Sequence, residues 1–267
     1  MKKIAGLILA GAGLAVALAA HDTWLVPATF RVVPGQAVRV ALNTSEDFPT
    51  SEAAAAPDRI ARFEVMTHTG REPVTGYQVE GQSLVAEVTP AAGLTLVAAV
   101  TKPRLIVLEP EVFNTYISEE GLQQIVGARA TRGESYREGR ERYSKIAKLV
   151  LCAEETSGGR SYREPMGLRV EIVPLTEPCG LRAGDVLTVQ VLFEGRPLAG
   201  VWVGAGTEGS HGHRYPFWQK TDAEGRAIVP LSQRGPWFVR VLHMVAATEF
   251  EDAQWQSWFS TLTFDVE

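Results

Sequence analysis

The histidine nearest the amino terminus, His21, is the residue of this sequence best suited to metal chemistry. If the mature chain begins at Ala20, three nitrogens can chelate one metal ion: the terminal amine, the amide of His21 and its imidazole. Ni(II) and Cu(II) favour the square-planar arrangement that such nitrogen donors provide. If the chain begins at His21 itself, its amine and imidazole form a bidentate brace for copper. Either start requires that a preceding segment is removed.

The other histidines provide further donors. His211 and His213 flank a glycine in a loop-like stretch, His243 precedes a methionine after a predicted strand, and His68 stands alone. Each of these histidines can also be explained without a metal. Histidines in loops, such as His211 and His213, are often exposed and inert. His243 can equally be a buried donor that holds a core of tryptophans in place, namely Trp237, Trp255 and Trp258. We predict a metal site built from Ala20, His21, His243, His211 and His213.

The first residues have the pattern of a secretory signal peptide. Lys2 and Lys3 precede an apolar run from Ile4 to about Leu18, which ends in small residues. We predict cleavage after Ala19, with cleavage after Ala20 as the alternative, and an uncleaved membrane anchor as the less favoured interpretation. No second apolar segment is long enough to cross a bilayer. The sequence therefore predicts a periplasmic protein with no membrane span after cleavage.

Composition and motifs limit the classes of function. The chain has 267 residues, 45% of them hydrophobic, and a net charge of −5, which excludes a disordered or collagen-like protein. An acidic chain is a poor candidate for nucleic-acid binding, which relies on a basic surface. The sequence has no Gly-x-Ser-x-Gly elbow, no His-Glu-x-x-His helix and no phosphate-binding glycine loop. We therefore predict that the protein is not an enzyme.

The two cysteines, Cys152 and Cys179, are predicted to form a disulfide because the protein is exported to an oxidising compartment. Such a bridge stabilises the fold by about 3.5 kcal/mol in the chain-entropy model. Redox catalysis is not expected, since catalytic dithiols usually lie two residues apart.

The elements that must position these residues are mainly strands. Residues 38–42 and 187–191 alternate apolar and other side chains, and each run follows a turn that contains a glycine. A later strand that follows a glycine occurs in each half, at 94–97 and 237–241. The pattern predicts two β-sandwich modules. Residues 221–225 are predicted to be a hairpin turn, with Gly225 at positive φ.

A different segment separates the two modules. Residues 111–126 have helical spacing that is interrupted at Gly121, and residues 129–148 carry seven basic and three acidic side chains. We interpret this basic stretch as a solvated helical connector whose arginines pair with nearby glutamates, with an anion site as the alternative. From Ile146 the pattern becomes that of a strand.

Several further stretches resemble the bacterial secreted family catalogued as domain of unknown function 4198, over essentially the whole mature chain. They are residues 20–25, 113–117, 120–122, 139–145, 167–168, 171–175, 192–198, 221–222, 243–244, Trp255, Trp258 and 262–264. The resemblance implies an exported protein with immunoglobulin-like and carboxypeptidase-regulatory-like β modules. The family has been linked with periplasmic components of nickel and cobalt uptake.

Together these observations predict a mainly β protein: a signal peptide at 1–19, a β-sandwich module at 20–105, a helical basic connector at 106–148 and a second module at 149–267. Its expected role is to bind Ni, Co or Cu for uptake or delivery, with a transporter or an outer-membrane receptor as partner. The alternative is a module that binds no metal and recognises a protein or a glycan in the periplasm.

Overall fold

A computed structural model describes residues 21–153, 161–210 and 215–267, and within these ranges the chain is mainly β. The described elements are β1 (Asp22–Pro27), β2 (Arg31–Val32), β3 (Val38–Ser45), β4 (Ile60–Thr67), β5 (Gly70–Pro73), β6 (Gln78–Glu80), β7 (Ser83–Val88), β8 (Leu94–Thr101), β9 (Arg104–Leu108), α1 (Pro110–Glu119), α2 (Gln123–Thr131), β10 (Gly139–Ala153), β11 (Val170–Pro174), β12 (Val186–Phe193), β13 (Arg196–Pro197), β14 (Trp202–Thr207), β15 (Phe217–Lys220), β16 (Arg226–Pro230), β17 (Gly235–Ala246) and β18 (Trp255–Val266). The predicted mainly β fold is therefore confirmed.

The strands form three sheets. One has the order β1-β3-β7-β6, and a ten-stranded sheet has the order β15-β14-β17-β18-β10-β8-β4-β5, with β2 and β9 also paired to β10. In the third sheet, β11 and β16 both pair with β12, which also pairs with β13. The predicted alternation is confirmed in β3, where Val38, Val40 and Leu42 are buried while Arg39 is exposed.

The first sandwich forms where the β1-β3-β7-β6 sheet faces the part of the ten-stranded sheet that contains β4, β8 and β10. Alternate side chains of each strand point to the same face of its sheet, and the inward-pointing side chains of both sheets meet in one apolar core. The fully buried members of this core include Leu25, Val40, Leu42 and Leu84 from the first sheet and Val97, Ala99, Leu149 and Leu151 from the second. Truncating one of these leucines to alanine typically costs about 2–5 kcal/mol.

The contacts divide the chain into two compact units that do not follow chain order. Among the described residues, one comprises His21, Pro103–Tyr143 and Met244–Ser257. The other comprises Asp22–Lys102, Ser144–His243 and Trp258–Glu267. Both predicted β modules contribute to the second unit, and the predicted boundaries at 20–105, 106–148 and 149–267 stay predictions.

The helical segment follows the predicted spacing. Phe113 and Ile117 are buried on α1, Ile125 is buried on α2, and Gly121 between the helices has a φ of 70°. Neither these helices nor any other described residues form a helix long and apolar enough to cross a membrane.

The interpretation of residues 129–148 as a solvated connector is wrong for three of its cations, Arg129, Lys145 and Lys148, which are all buried. Arg129 is fully buried over the ring of Phe113, 4.8 Å from its guanidinium carbon to the ring centroid, and burial lowers its pKa. Lys148 is also buried, and its Nζ lies 2.7 Å from a carboxylate oxygen of Glu171. The strand predicted from Ile146 begins earlier, at Gly139, because residues 139–143 pair with β9.

Two local predictions can be compared directly with the structure. Cys152 and Cys179 form the predicted disulfide, with their Cα atoms 5.6 Å apart. Gly225 has the predicted positive φ, 72°. The predicted hairpin is wrong, however, because the strands that flank this turn pair in different sheets: β15 with β14, and β16 with β12.

Candidate functional site

Asp22, the first residue of β1, is buried and held by two side chains that lie about two hundred positions away in the sequence. The hydroxyl of Tyr215 donates to Oδ2 of Asp22 at 2.9 Å. The guanidinium of Arg240, which is fully buried, donates from Nε to Oδ1 at 3.2 Å, and its Nη2 lies 3.2 Å from the same oxygen in an ion pair. Charge-assisted hydrogen bonds of this kind are stronger than neutral ones. The start of β1 is therefore fixed by its side chain as well as by its pairing with β3.

The ring of Tyr215 belongs to a stack of three aromatic side chains, Tyr215, Trp218 and Trp202, which we call the aromatic clamp. Neighbouring centroids are 5.3 Å apart at both contacts, and the interplanar angles are 11° and 13°. A cation covers each end: Arg240 lies over Tyr215 at 5.2 Å and Lys220 over Trp202 at 5.1 Å. Cation–π attraction between each cation and the ring below it stabilises the stack at both ends.

A glycine in β14 makes room for the aromatic clamp. Gly204 pairs with Trp218 across the strands, and a Cβ placed on it would lie 2.8 Å from a ring carbon of Tyr215 and 2.9 Å from one of Trp218. No side chain larger than hydrogen fits under the rings without displacing them. Gly204 therefore sets the position of the Tyr215 hydroxyl that reaches Asp22.

The structure describes only part of the predicted metal site. His21 is buried and directly precedes β1, whereas Ala20, His211 and His213 lie outside the described residues. His68 is exposed in the turn between β4 and β5. Among the described residues, no group of three or more His, Cys, Asp or Glu side chains is arranged to hold a metal ion.

His243 is placed among aromatic rings. Its centroid lies 4.6 Å from that of Phe193 and 6.4 Å from that of Trp258. Burial lowers the pKa of His243 to about 4, because the charged imidazolium loses its hydration, so the ring is neutral at physiological pH. On β17, His243 is three residues after Arg240 and therefore points to the opposite face of the sheet from Asp22. The structure does not bring His243 together with the start of β1.

The carboxylate of Asp22, next to His21, is not open to a metal ion. Both carboxylate oxygens of Asp22 accept hydrogen bonds, so this side chain is engaged within the protein.

Sequence reasoning missed Asp22, Tyr215 and Arg240. Their contacts join positions 193 and 218 residues apart, and a single sequence carries no signal for such pairings. One local clue exists: the strand sequence Trp202–Thr207 contains glycines at alternate positions, Gly204 and Gly206. Glycine on one face of a strand often marks a close approach by another group.

The model of a family described as domain of unknown function 4198 matches residues 18–245 of the chain. The chain belongs to this family. The match confirms the resemblance seen in the sequence, and the family description states no activity. No curated protein matches the chain.

Solved structures similar to this family member share little sequence with it. The D0–D1 domain of intimin is 11% identical, covering 90% of this chain and 96% of that chain, with a TM-score of 0.21. FdeC, an Escherichia coli adhesin, is 11% identical, with coverages of 92% and 63% and a TM-score of 0.26. Fibronectin(III)-like modules of Clostridium thermocellum CbhA are 7% identical, with coverages of 91% and 94% and a TM-score of 0.22. Scores this low support no conclusion about function.

Proposed function

We propose that this protein binds a transition metal ion, Ni(II), Co(II) or Cu(II), through its mature amino terminus and serves metal uptake or delivery in the periplasm. Ala20 and His21 supply the donors, and the signal peptidase creates the site when it exposes the amine. A transporter or an outer-membrane receptor is the partner that fits such a role. His243 is left out of the site because aromatic rings surround it.

The observation that supports the proposal is the fixed position of Asp22. This residue directly follows His21, and its side chain is held by Tyr215, which itself follows His213 by two residues. This hydrogen bond restrains the residue next to His21, one of the two residues that supply the donors. Nitrogen donors of Ala20 and His21 match the preference of Ni(II) and Cu(II).

A chelate with few protein donors suits delivery better than storage. Ala20 and His21 occupy three positions of a square plane, which leaves one position for a ligand from the receiving partner. Metal exchange between proteins needs such an open coordination position, which agrees with the proposed role in uptake or delivery.

Titration of the mature protein with each metal tests the proposal. The chain is secreted with its own signal peptide, so that no tag blocks the amine, and Ni(II), Co(II) and Cu(II) are titrated against a competing chelator. We expect one equivalent bound by the wild type and loss of that binding in His21→Ala. His68→Ala is the matched control, since His68 is exposed and distant in sequence.

Two results would contradict the proposal. The wild type staying metal-free at stoichiometric metal would refute it, and so would equal binding by His21→Ala and the wild type. Either result would favour the alternative function, recognition of a protein or glycan partner by a β-sandwich module.

A further inference from the structure

β6 lies at the end of the β1-β3-β7-β6 sheet, and among the described residues its only strand partner is β7. All three of its residues, Gln78, Val79 and Glu80, are exposed. An edge strand presents backbone N–H and C=O groups that can pair with a strand of another chain. The strand and the residues discussed with it belong to one compact unit.

The strand pairing shows which backbone groups of β6 point away from the sheet. In an antiparallel sheet, successive residues of a strand direct their N–H and C=O groups to opposite neighbours. The carbonyl of Arg39 in β3 accepts from the amide of Ala28, just after β1, at 2.8 Å, so Arg39 points its backbone towards β1. Leu42, three residues later, therefore points its backbone to Leu84 in β7. Because Leu84 uses its N–H and C=O towards β3, its other neighbour, Val79, directs both of its groups away from the sheet.

The side chains of β6 fit a second copy of the same strand. In an antiparallel pair about a two-fold axis at Val79, the two valines exchange both backbone hydrogen bonds and lie directly opposite each other. Val79 is 47% exposed, so this pairing removes two apolar side chains from water. Gln78 of each copy lies opposite Glu80 of the other copy, which places an amide donor beside a carboxylate acceptor. The pairing brings no like charges together within β6.

The edge strand of the ten-stranded sheet, β5, is unsuited to the same pairing. The amide of Val74, just after β5, donates to the carbonyl of Phe63 at 2.8 Å, so the alternation directs the backbones of Arg71 and Pro73 outwards. Pairing with a second copy about Arg71 or about Glu72 would place two like charges directly opposite each other, which is destabilising. Pairing about Pro73 lacks the N–H of the proline. Charges and prolines of this kind protect edge strands from pairing, and β6 has neither at its outward-pointing residue.

We propose that this protein forms a homodimer through β6, with the two strands antiparallel about a two-fold axis at Val79. The dimer joins two four-stranded sheets into one continuous sheet of eight strands. An interface along three residues is small, and small interfaces belong to weak, transient complexes. We expect a dissociation constant between about 1 µM and 1 mM. No residue of β6 takes part in the proposed metal site, so the two proposals are independent.

Opposite charges at position 79 test the register of the dimer. Sedimentation equilibrium of the secreted protein, without added metal, measures the dissociation constant. Val79→Lys and Val79→Glu each place like charges opposite each other and should each weaken dimerisation about five- to thirty-fold. An equimolar mixture of the two variants places a lysine opposite a glutamate and should restore the wild-type dissociation constant to within about three-fold. General damage to the fold would not be repaired by mixing, because both chains carry a substitution.

Val186→Lys is the matched control. Val186 is 48% exposed in β12, outside the proposed interface, and its replacement should leave dimerisation unchanged. Equal weakening by Val186→Lys and Val79→Lys would overturn the proposal, because the effect would then follow from added charge alone.

Three further results would overturn the proposal. A wild type that stays monomeric up to about 1 mM forms no such dimer. If Val79→Lys and Val79→Glu each dimerise as the wild type does, the dimer uses another surface. If both variants lose the dimer and the mixture does not recover it, the two residues at position 79 do not lie opposite each other.

Discussion

Replacing Gly204 by alanine tests the aromatic clamp directly. The new Cβ would lie 2.8 Å from a ring carbon of Tyr215 and 2.9 Å from one of Trp218, closer than carbon atoms approach in proteins. Both rings belong to a stack whose ends are covered by Arg240 and Lys220, so neither can move without separating another contact. Overpacking of this kind costs about 1–3 kcal/mol.

The size of the effect can be stated as a change in melting temperature. For a chain of this length, 1 kcal/mol corresponds to about 2–4 °C, so Gly204→Ala should lower Tm by about 2–12 °C. Near-ultraviolet circular dichroism should also change, because the relative orientation of Trp202 and Trp218 determines part of that signal. Thermal unfolding of the secreted protein, followed by near-ultraviolet circular dichroism, measures both the melting temperature and the change in the spectrum.

Gly127 provides the matched control. It lies in α2, its φ is not positive, and a Cβ there would meet nothing within 4 Å. Gly127→Ala should therefore stabilise the protein by about 0.4–1 kcal/mol, since alanine restricts the unfolded chain. If Gly204→Ala left Tm and the near-ultraviolet spectrum at their wild-type values, the described packing of the rings over β14 would be refuted.

Two further predictions concern buried titratable groups, the Lys148–Glu171 pair and His243. Glu171→Gln should destabilise the fold by about 3–5 kcal/mol in urea unfolding, because Lys148 would lose its buried counter-charge; burial already lowers the pKa of Lys148, and Glu171 opposes that shift. The matched control is Glu194→Gln, because Glu194 forms its ion pair with Arg169 on the surface; it should cost less than about 1 kcal/mol. Equal losses of stability in Glu171→Gln and Glu194→Gln would refute the buried ion pair of Lys148. The pKa of His243 falls from 6.5 to about 4 on folding, so its stabilising contribution is complete above pH 6.5 and is lost as the pH falls towards 4. The free energy of unfolding of His243→Phe should therefore fall less steeply than that of the wild type between pH 6.5 and 4, and parallel curves would contradict the depressed pKa.

The parts of the fold that the sequence predicts are those with a local pattern. Alternation in β3 and β12, helix spacing around Gly121 and the positive φ of Gly225 each depend on a few neighbouring residues, and all are confirmed. The disulfide followed from the expected compartment and the presence of only two cysteines. These predictions needed no knowledge of tertiary contacts.

The wrong predictions concern residues whose structure depends on partners far away in the sequence. Residues 221–225 look like a hairpin turn, but β15 and β16 take partners in different sheets. The sequence suggests that Arg129 and Lys148 are solvated cations. In the structure Arg129 donates to Asn114 and Lys148 pairs with Glu171, and no local pattern identifies these partners. The same limit applies at the candidate site, where Asp22, Tyr215 and Arg240 meet only in the folded chain.

The central claim is that the mature amino terminus carries a transition metal, and native mass spectrometry tests it most directly. The protein is purified from the periplasm without an amino-terminal tag and without chelator. The account predicts a chain that begins at Ala20 or His21, lacks two hydrogens because of the Cys152–Cys179 disulfide, and carries one Ni, Co or Cu ion. A correctly cut, disulfide-bonded chain that carries no metal, and takes up none when each ion is added, would contradict it.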